Sequence, residues 1–163
     1  MTRTLILMRH AKSDWDTPAL PDHDRTLNKR GQRSALALGD WMREKGWLPD
    51  TVLCSTAIRT RQTLEGLRME APVQFLKALY HAEAEDMHRT LKAATAPTVL
   101  MIGHNPGIGD FAHELLDTPP DHPRFEDYPT GATLVAEFDI EDWSELGWGK
   151  GHARDFIVPR ELT

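Results

Sequence analysis

Three short runs of apolar residues stand out along the chain, at 4–8 (TLILM), 51–54 (TVLC) and 98–102 (TVLMI). Each is nearly continuous instead of alternating with polar positions. That is the pattern of a strand covered on both faces, so the runs predict buried parallel strands. Between them the apolar spacing becomes helical. Asn28 can cap a segment in which Ala35, Leu38, Trp41 and Met42 share one face, and Gly46 stands where it would end. Ser55 is placed to cap a second helix. A third is expected over residues 85–94, where Met87, Leu91 and Ala94 repeat at i, i+4 and i+7 before Pro97 halts it. Gly103-His104-Asn105-Pro106-Gly107 reads as a turn, with Asn105 as cap and Pro106 at the first helical position. The helix that follows buries Ile108, Phe111, Ala112 and Leu115. Residues 119–129, rich in proline and charge, predict a loop, and 132–138 a later strand. Residues 142–151 read as irregular, and 154–158 as an edge strand ending at Pro159.

Strands alternating with helices imply an α/β fold, a three-layer sandwich whose central sheet is largely parallel, because parallel neighbours need crossover helices. With 163 residues, 40% of them hydrophobic, and no repeat, low-complexity tract or linker, one domain over residues 1–163 is expected. No apolar run has the length of a membrane span and no signal-peptide pattern opens the chain, so a soluble, cytoplasmic protein with no membrane partner is expected. Cys54 is the single cysteine and cannot form an internal disulfide, and no Cys/His group has zinc-site spacing. A formal charge of −6 argues against nucleic acid as a partner, since phosphate backbones are held by broad basic surfaces. An acidic chain can still hold a basic pocket, because the local field is what binds a small anion.

Ligands of such folds bind beyond the carboxyl ends of the strands. Here the first predicted strand runs into Arg9-His10, the second into Ser55 and Arg59, and the third into His104-Asn105. A phosphoryl group in transfer needs fixed cations around its equatorial oxygens and a nucleophile in line with the leaving group. Arginine suits the first task through its planar, always-charged fork, which fits Arg9 and Arg59. Imidazole suits the second, which fits His10, and a further imidazole, His104, can donate to the phosphoryl oxygens. Ser13 and Asn105 are candidate substrate contacts.

The segments Leu7-Met8-Arg9-His10-Ala11, Ser55-Thr56-Ala57-Ile58-Arg59-Thr60-Arg61-Gln62-Thr63 and Gly103-His104-Asn105-Pro106 together resemble the histidine phosphatase, or phosphoglycerate-mutase-like, superfamily. Within it the chain is most similar to the SixA-type phosphohistidine phosphatases, as Asp24-Arg25-Thr26-Leu27 followed by Gly31 also suggests. The resemblance runs from Thr4 to Pro159. It implies a phosphoglycerate-mutase-like sheet and a phosphatase that carries the phosphoryl group on His10. It also implies Arg9 and Arg59 as phosphate clamp, His104 as stabiliser of the transition state and Arg25 as a further contact. No metal and no cofactor are implied. Ala11 stands where the superfamily usually has glycine, and a small residue is kept. For the general acid, residues 79–85 offer only Glu83 or Glu85, and Glu83 is the candidate. A phosphohistidine substrate loses an imidazole, a better leaving group than an alkoxide, so the demand for a positioned acid is lower.

The expected substrate is therefore phosphohistidine on a protein, such as a histidine-phosphorylated carrier. The alternatives are a phosphatase of small esters (sugar or nucleotide derivatives) and a non-catalytic phosphate-binding module. Cys54 through Arg59 is a poor cysteine-phosphatase loop, because it has C-x4-R spacing and no glycine, and Cys54 reads as a buried strand residue. Gly147, Gly149 and Gly151 around Lys150 lack what a P-loop requires. His23, His81, His88, His113, His122 and His152 are read as incidental, and Trp143 and Trp148 as packing groups.

Overall fold

The computed structural model describes residues 2–163, and in it the three apolar runs are strands β1 (Arg3–Arg9), β2 (Thr51–Ser55) and β4 (Thr98–Gly103), separated by the short β3 (Val73–Leu76). Side chains alternate between the two sheet faces. Leu5, Leu7, Val99 and Met101 therefore join one buried cluster, with Met87, Ile108 and Phe111, while Ile6, Met8, Leu100 and Ile102 join a second, with Leu38, Met42 and Leu67. Covering both faces explains the near-continuous apolar runs. Each such fully buried side chain contributes on the order of 1.5–3 kcal/mol.

Helices α1 (Lys29–Lys45) and α2 (Ile58–Leu67) pack on one face, and α3 (Ala84–Lys92) and α4 (Gly107–Leu115) on the other. Their ends follow the expected chemistry in most cases. Asn28 Oδ1 accepts from the Gly31 N–H at 2.8 Å, and Gly46 takes a left-handed φ of 78° at the end of α1. The fourth helix is shifted by one residue from expectation: Pro106 is its N-cap and Gly107 its first residue, and Asn105, one position earlier, accepts at Oδ1 from the Gly109 N–H in the first turn. The second helix differs from expectation: its N-cap is Ala57, and Ser55 instead accepts from the Ala57 N–H while reaching the functional site. A β-carbon on Gly31 would collide with the Lys12 carbonyl, so only glycine lets α1 abut the loop after β1.

The sheet order is β3-β2-β4-β1-β5-β6. The four left-hand strands run parallel, whereas β5 (Thr133–Phe138) is antiparallel to both β1 and the edge strand β6 (His152–Ile157). The sheet is thus largely parallel, with an antiparallel margin. Strand β3 has no counterpart in the apolar pattern because it is an edge of four residues, three of them exposed. Trp143 is buried and donates to the Ala96 carbonyl, as expected of a packing group, whereas Trp148 is exposed and stacks on His88. Among the described residues no helix is long and apolar enough to cross a membrane.

Register fixes the geometry that matters. In the parallel pairing of β1 with β4, Arg9 faces Gly103, and the His10 N–H donates to the Gly103 carbonyl at 3.1 Å. Cys54 pairs with Ile102 on the other side of β4. The residues that leave these three strands therefore start from one line across the sheet.

Candidate active site

The three strand ends enclose a cavity of 260 Å³ lined by Arg9, His10, Ser13, Arg59, His104 and Asn105 together with Lys12, Trp15 and Thr130. Six of the eight residues singled out from the sequence thus share one space. His10, Arg59, His104 and Ser13 are buried, and the His10 and His104 rings lie 5.3 Å apart.

Both imidazoles have defined hydrogen-bond partners. His10 Nδ1 lies 2.7 Å from the Ala11 carbonyl, which can only accept, so Nδ1 carries the proton and Nε2 keeps a free lone pair. The Ala11 N–H in turn donates to Thr63 Oγ1, which fixes this segment to α2. Burial above all, then the charges of Arg9 and Arg59, push the pKa of His10 down to about 3 against the opposing Ala11 hydrogen bond. His104 is lowered to about 3 as well, by burial first and then by His10 and Arg59. Its Nε2 lies 2.8 Å from Ser55 Oγ, which accepts from the Ala57 N–H and can donate its own proton to Nε2 of the neutral ring. Nδ1 of His104 then carries an N–H that is buried and has no partner. Arg9 shows the same feature at Nε, although its Nη1 donates to the Tyr128 carbonyl at 3.1 Å. Burial and the like charge of Arg59 draw Arg9 below the usual arginine range, with Asp127 opposing, and it stays protonated. Buried donors without partners are rare enough to mark a place for an acceptor.

A matching sequence model of the histidine phosphatase superfamily (branch 1) spans residues 5–88. The chain belongs to that superfamily. It is 39% identical over 162 residues to an uncharacterised protein of Mycobacterium leprae, covering 94% of this chain and 100% of that protein. It spans 60% of the length of a chloroplast protein of Arabidopsis thaliana, with 37% identity. Among solved structures, the protein provisionally named as phosphohistidine phosphatase SixA from Nakamurella multipartitia is 34% identical with a TM-score of 0.85, over 98% of this chain and 97% of that one. The protein histidine phosphatase SixA complexed with tungstate is 25% identical with a TM-score of 0.78, over 98% and 99%.

In this member of the superfamily Asn105 belongs to the cavity lining, and Arg25 and Glu83 do not. The Asn105 amide donates to the Asp127 and Tyr128 carbonyls and accepts from Gly109, so it joins the 119–129 loop to α4 as it lines the site. Arg25 is buried, with Trp15 over its guanidinium at 3.8 Å and Asp22 at 3.9 Å, and its Nε and Nη1 have no hydrogen-bond partner. Glu83 is exposed at the start of α3, on an adjoining groove of 560 Å³ that shares His104 and Asn105 with the cavity.

Several contributors carried no signal that single-sequence reading could use. Asp22 takes both terminal nitrogens of Arg59, through its carbonyl at 2.7 Å and its carboxylate at 3.0 Å, and Tyr80 donates to the same carboxylate at 2.6 Å. Burial raises Asp22, but the Tyr80 and Arg59 bonds outweigh it and hold the carboxyl below its ordinary value. His23 and His81, read as incidental, both pack on Tyr80, whose ring meets His104. Tyr128 ties the loop to β1 by donating to the Leu7 carbonyl at 2.6 Å. These are pairings between distant segments, which spacing cannot show. Among the described residues no group of three or more His, Cys, Asp or Glu is placed to hold a metal ion.

Proposed function

We propose that the protein is a phosphatase acting through a phosphohistidine on His10, with phosphohistidine on a protein as its substrate. The observation that carries this reading is the neutral, tautomer-fixed His10, whose free Nε2 opens on a cavity of cationic and unpaired donors. The Nε2 lone pair attacks phosphorus, the bond from phosphorus to the substrate nitrogen breaks, and the departing imidazole takes a proton from solvent. Arg9 and Arg59 bind the equatorial oxygens, and the His104 N–H donates to the charge that develops there. Arg59 exchanges its bonds to Asp22 for bonds to the phosphoryl group. Water then attacks the phosphohistidine, releasing inorganic phosphate and restoring Nε2. The donor set is cationic, so it suits an anion without a bridging metal, and residues 1–163 act as one domain.

Two observations favour phosphohistidine. The cavity lining holds no carboxylate that could protonate an alkoxide, and the structures sharing most of this fold at 25% identity or more carry the SixA name. A second reading, small phosphate esters, is favoured by Glu83, which lines the adjoining groove together with His104. Comparing turnover of a histidine-phosphorylated carrier protein with that of phosphoserine and sugar phosphates separates them. The carrier should be dephosphorylated by wild type and not by His10→Ala, and turnover of esters alone would overturn the substrate assignment.

A further inference from the structure

A second cleft, of 380 Å³, shares Arg9, Lys12 and Thr130 with the cavity and none of its lining with the groove that holds Glu83. Its cations come from separate stretches of chain: Arg9 from the end of β1, Lys12 from the loop beyond, Arg30 from the opening of α1, Arg124 from the long loop, and Arg160 from the 3-10 turn Pro159–Glu161. Arg124 is neutralised by Asp127 at 2.8 Å. Among the described residues, Lys12, Arg30 and Arg160 are exposed and enter no ion pair.

Gathering Lys12, Arg30 and Arg160 in one cleft without an acidic partner for any of them among the described residues leaves three like charges with no ion pair to offset their mutual repulsion. Arg30 is placed against its helix dipole as well. Helix N-termini favour acidic side chains, yet the first turn of α1 holds none, and Lys29, Arg30 and Arg33 occupy its opening. The compensation is left to a ligand. The cleft exceeds the phosphate cavity in volume, and its unpaired charges are spread over three segments instead of converging on one point. That distribution matches a stretch of carboxylates better than a single second phosphate.

We infer that this cleft docks acidic side chains carried by the phosphorylated protein beside the phosphoryl group that His10 receives. The inference rests on the phosphatase reading above and names the surface that its substrate must present. Carboxylates entering this cleft would meet Lys12, Arg30 and Arg160, while the separate groove with Glu83, Glu85, Asp110 and Glu114 would repel them. The substrate is thereby oriented as well as attracted.

The test uses the charge-reversed protein Arg30→Glu/Arg160→Glu and two histidine-phosphorylated carriers, one with Asp and Glu around the phosphohistidine and one with Asn and Gln in their place. Wild type should show a KM at least about tenfold lower for the acidic carrier at low ionic strength, and the reversed protein should lose that preference. Turnover of phosphoramidate, which presents no carboxylate, should remain within about twofold. Thermal melting of the reversed protein should not fall, because an acid at the opening of α1 suits the helix dipole. Equal preference for the acidic carrier in both proteins would overturn the inference. Absence of all turnover by wild type would instead count against the phosphatase reading. In that event, fluorescence anisotropy with a labelled Asp/Glu-rich phosphopeptide decides the docking question: weaker binding to the reversed protein supports it, and equal binding overturns it.

Discussion

The two spaces on either side of His104 differ in the way that matters for chemistry. The groove toward α3 is the larger, 560 Å³ against 260 Å³, and its titratable walls include the exposed Glu83, Glu85, Asp110 and Glu114. The cavity toward β1 is small and holds no carboxylate. It contains two histidines driven neutral by burial and donors on His104 and Arg9 that lack partners. Volume alone would favour the groove over the cavity of the proposed phosphoryl chemistry. Desolvation combined with unmet hydrogen-bonding capacity marks where an anion is handled, since both are costs that folding alone would avoid.

The contrast breaks first at the nucleophile. His10→Ala should lose at least about a thousandfold in kcat/KM on a histidine-phosphorylated carrier, whereas Glu83→Gln across His104 should lose less than about tenfold. Steady-state kinetics on both proteins would reverse the assignment of the two spaces if the losses were exchanged. Arg59→Ala comes next, with an expected fall in kcat of roughly a hundred- to a thousandfold, because a charge-stabilising donor is removed from a desolvated site.

The pH dependence of stability sharpens the contrast. His10 and His104 have folded-state pKa values of about 3, below the 6.5 of an unperturbed histidine. The unfolded chain therefore takes up protons that the folded one refuses. Their contribution is fully present above pH 6.5 and is lost as pH falls toward 3, by about 1.4 kcal/mol per pH unit for each histidine. Urea titrations between pH 7 and 5 should show this slope, with about half of it gone in His10→Ala. The smallest effect concerns the loop wall. Tyr128→Phe removes the hydroxyl that donates to the Leu7 carbonyl and should cost about 0.5–1.5 kcal/mol in the same titrations, with Arg9 less firmly held through the Tyr128 carbonyl.

The sequence made the parallel half of the fold legible because its strands are buried on both faces, so composition alone marks residues 4–8, 51–54 and 98–102. It also showed which residues follow each strand, and register does the rest, by setting Arg9 opposite Gly103. Strand β3 escaped because an exposed edge of four residues leaves no apolar trace. Ser55 stands where a helix cap would, but tertiary structure pairs its hydroxyl with His104. Asp22, Tyr80 and Tyr128 were invisible for a different reason. Their roles arise from contacts that span 37 to 121 residues along the chain, and no local pattern encodes such a pairing.

The most direct test of the central claim is rapid acid-free quenching after mixing the protein with a carrier labelled with radioactive phosphate on histidine, followed by peptide mapping. A base-stable, acid-labile label on His10 that forms and decays at the rate of turnover is the predicted result. Full turnover with no label on His10, or a label on Cys54, whose thiol burial pushes up to about 12, would contradict it.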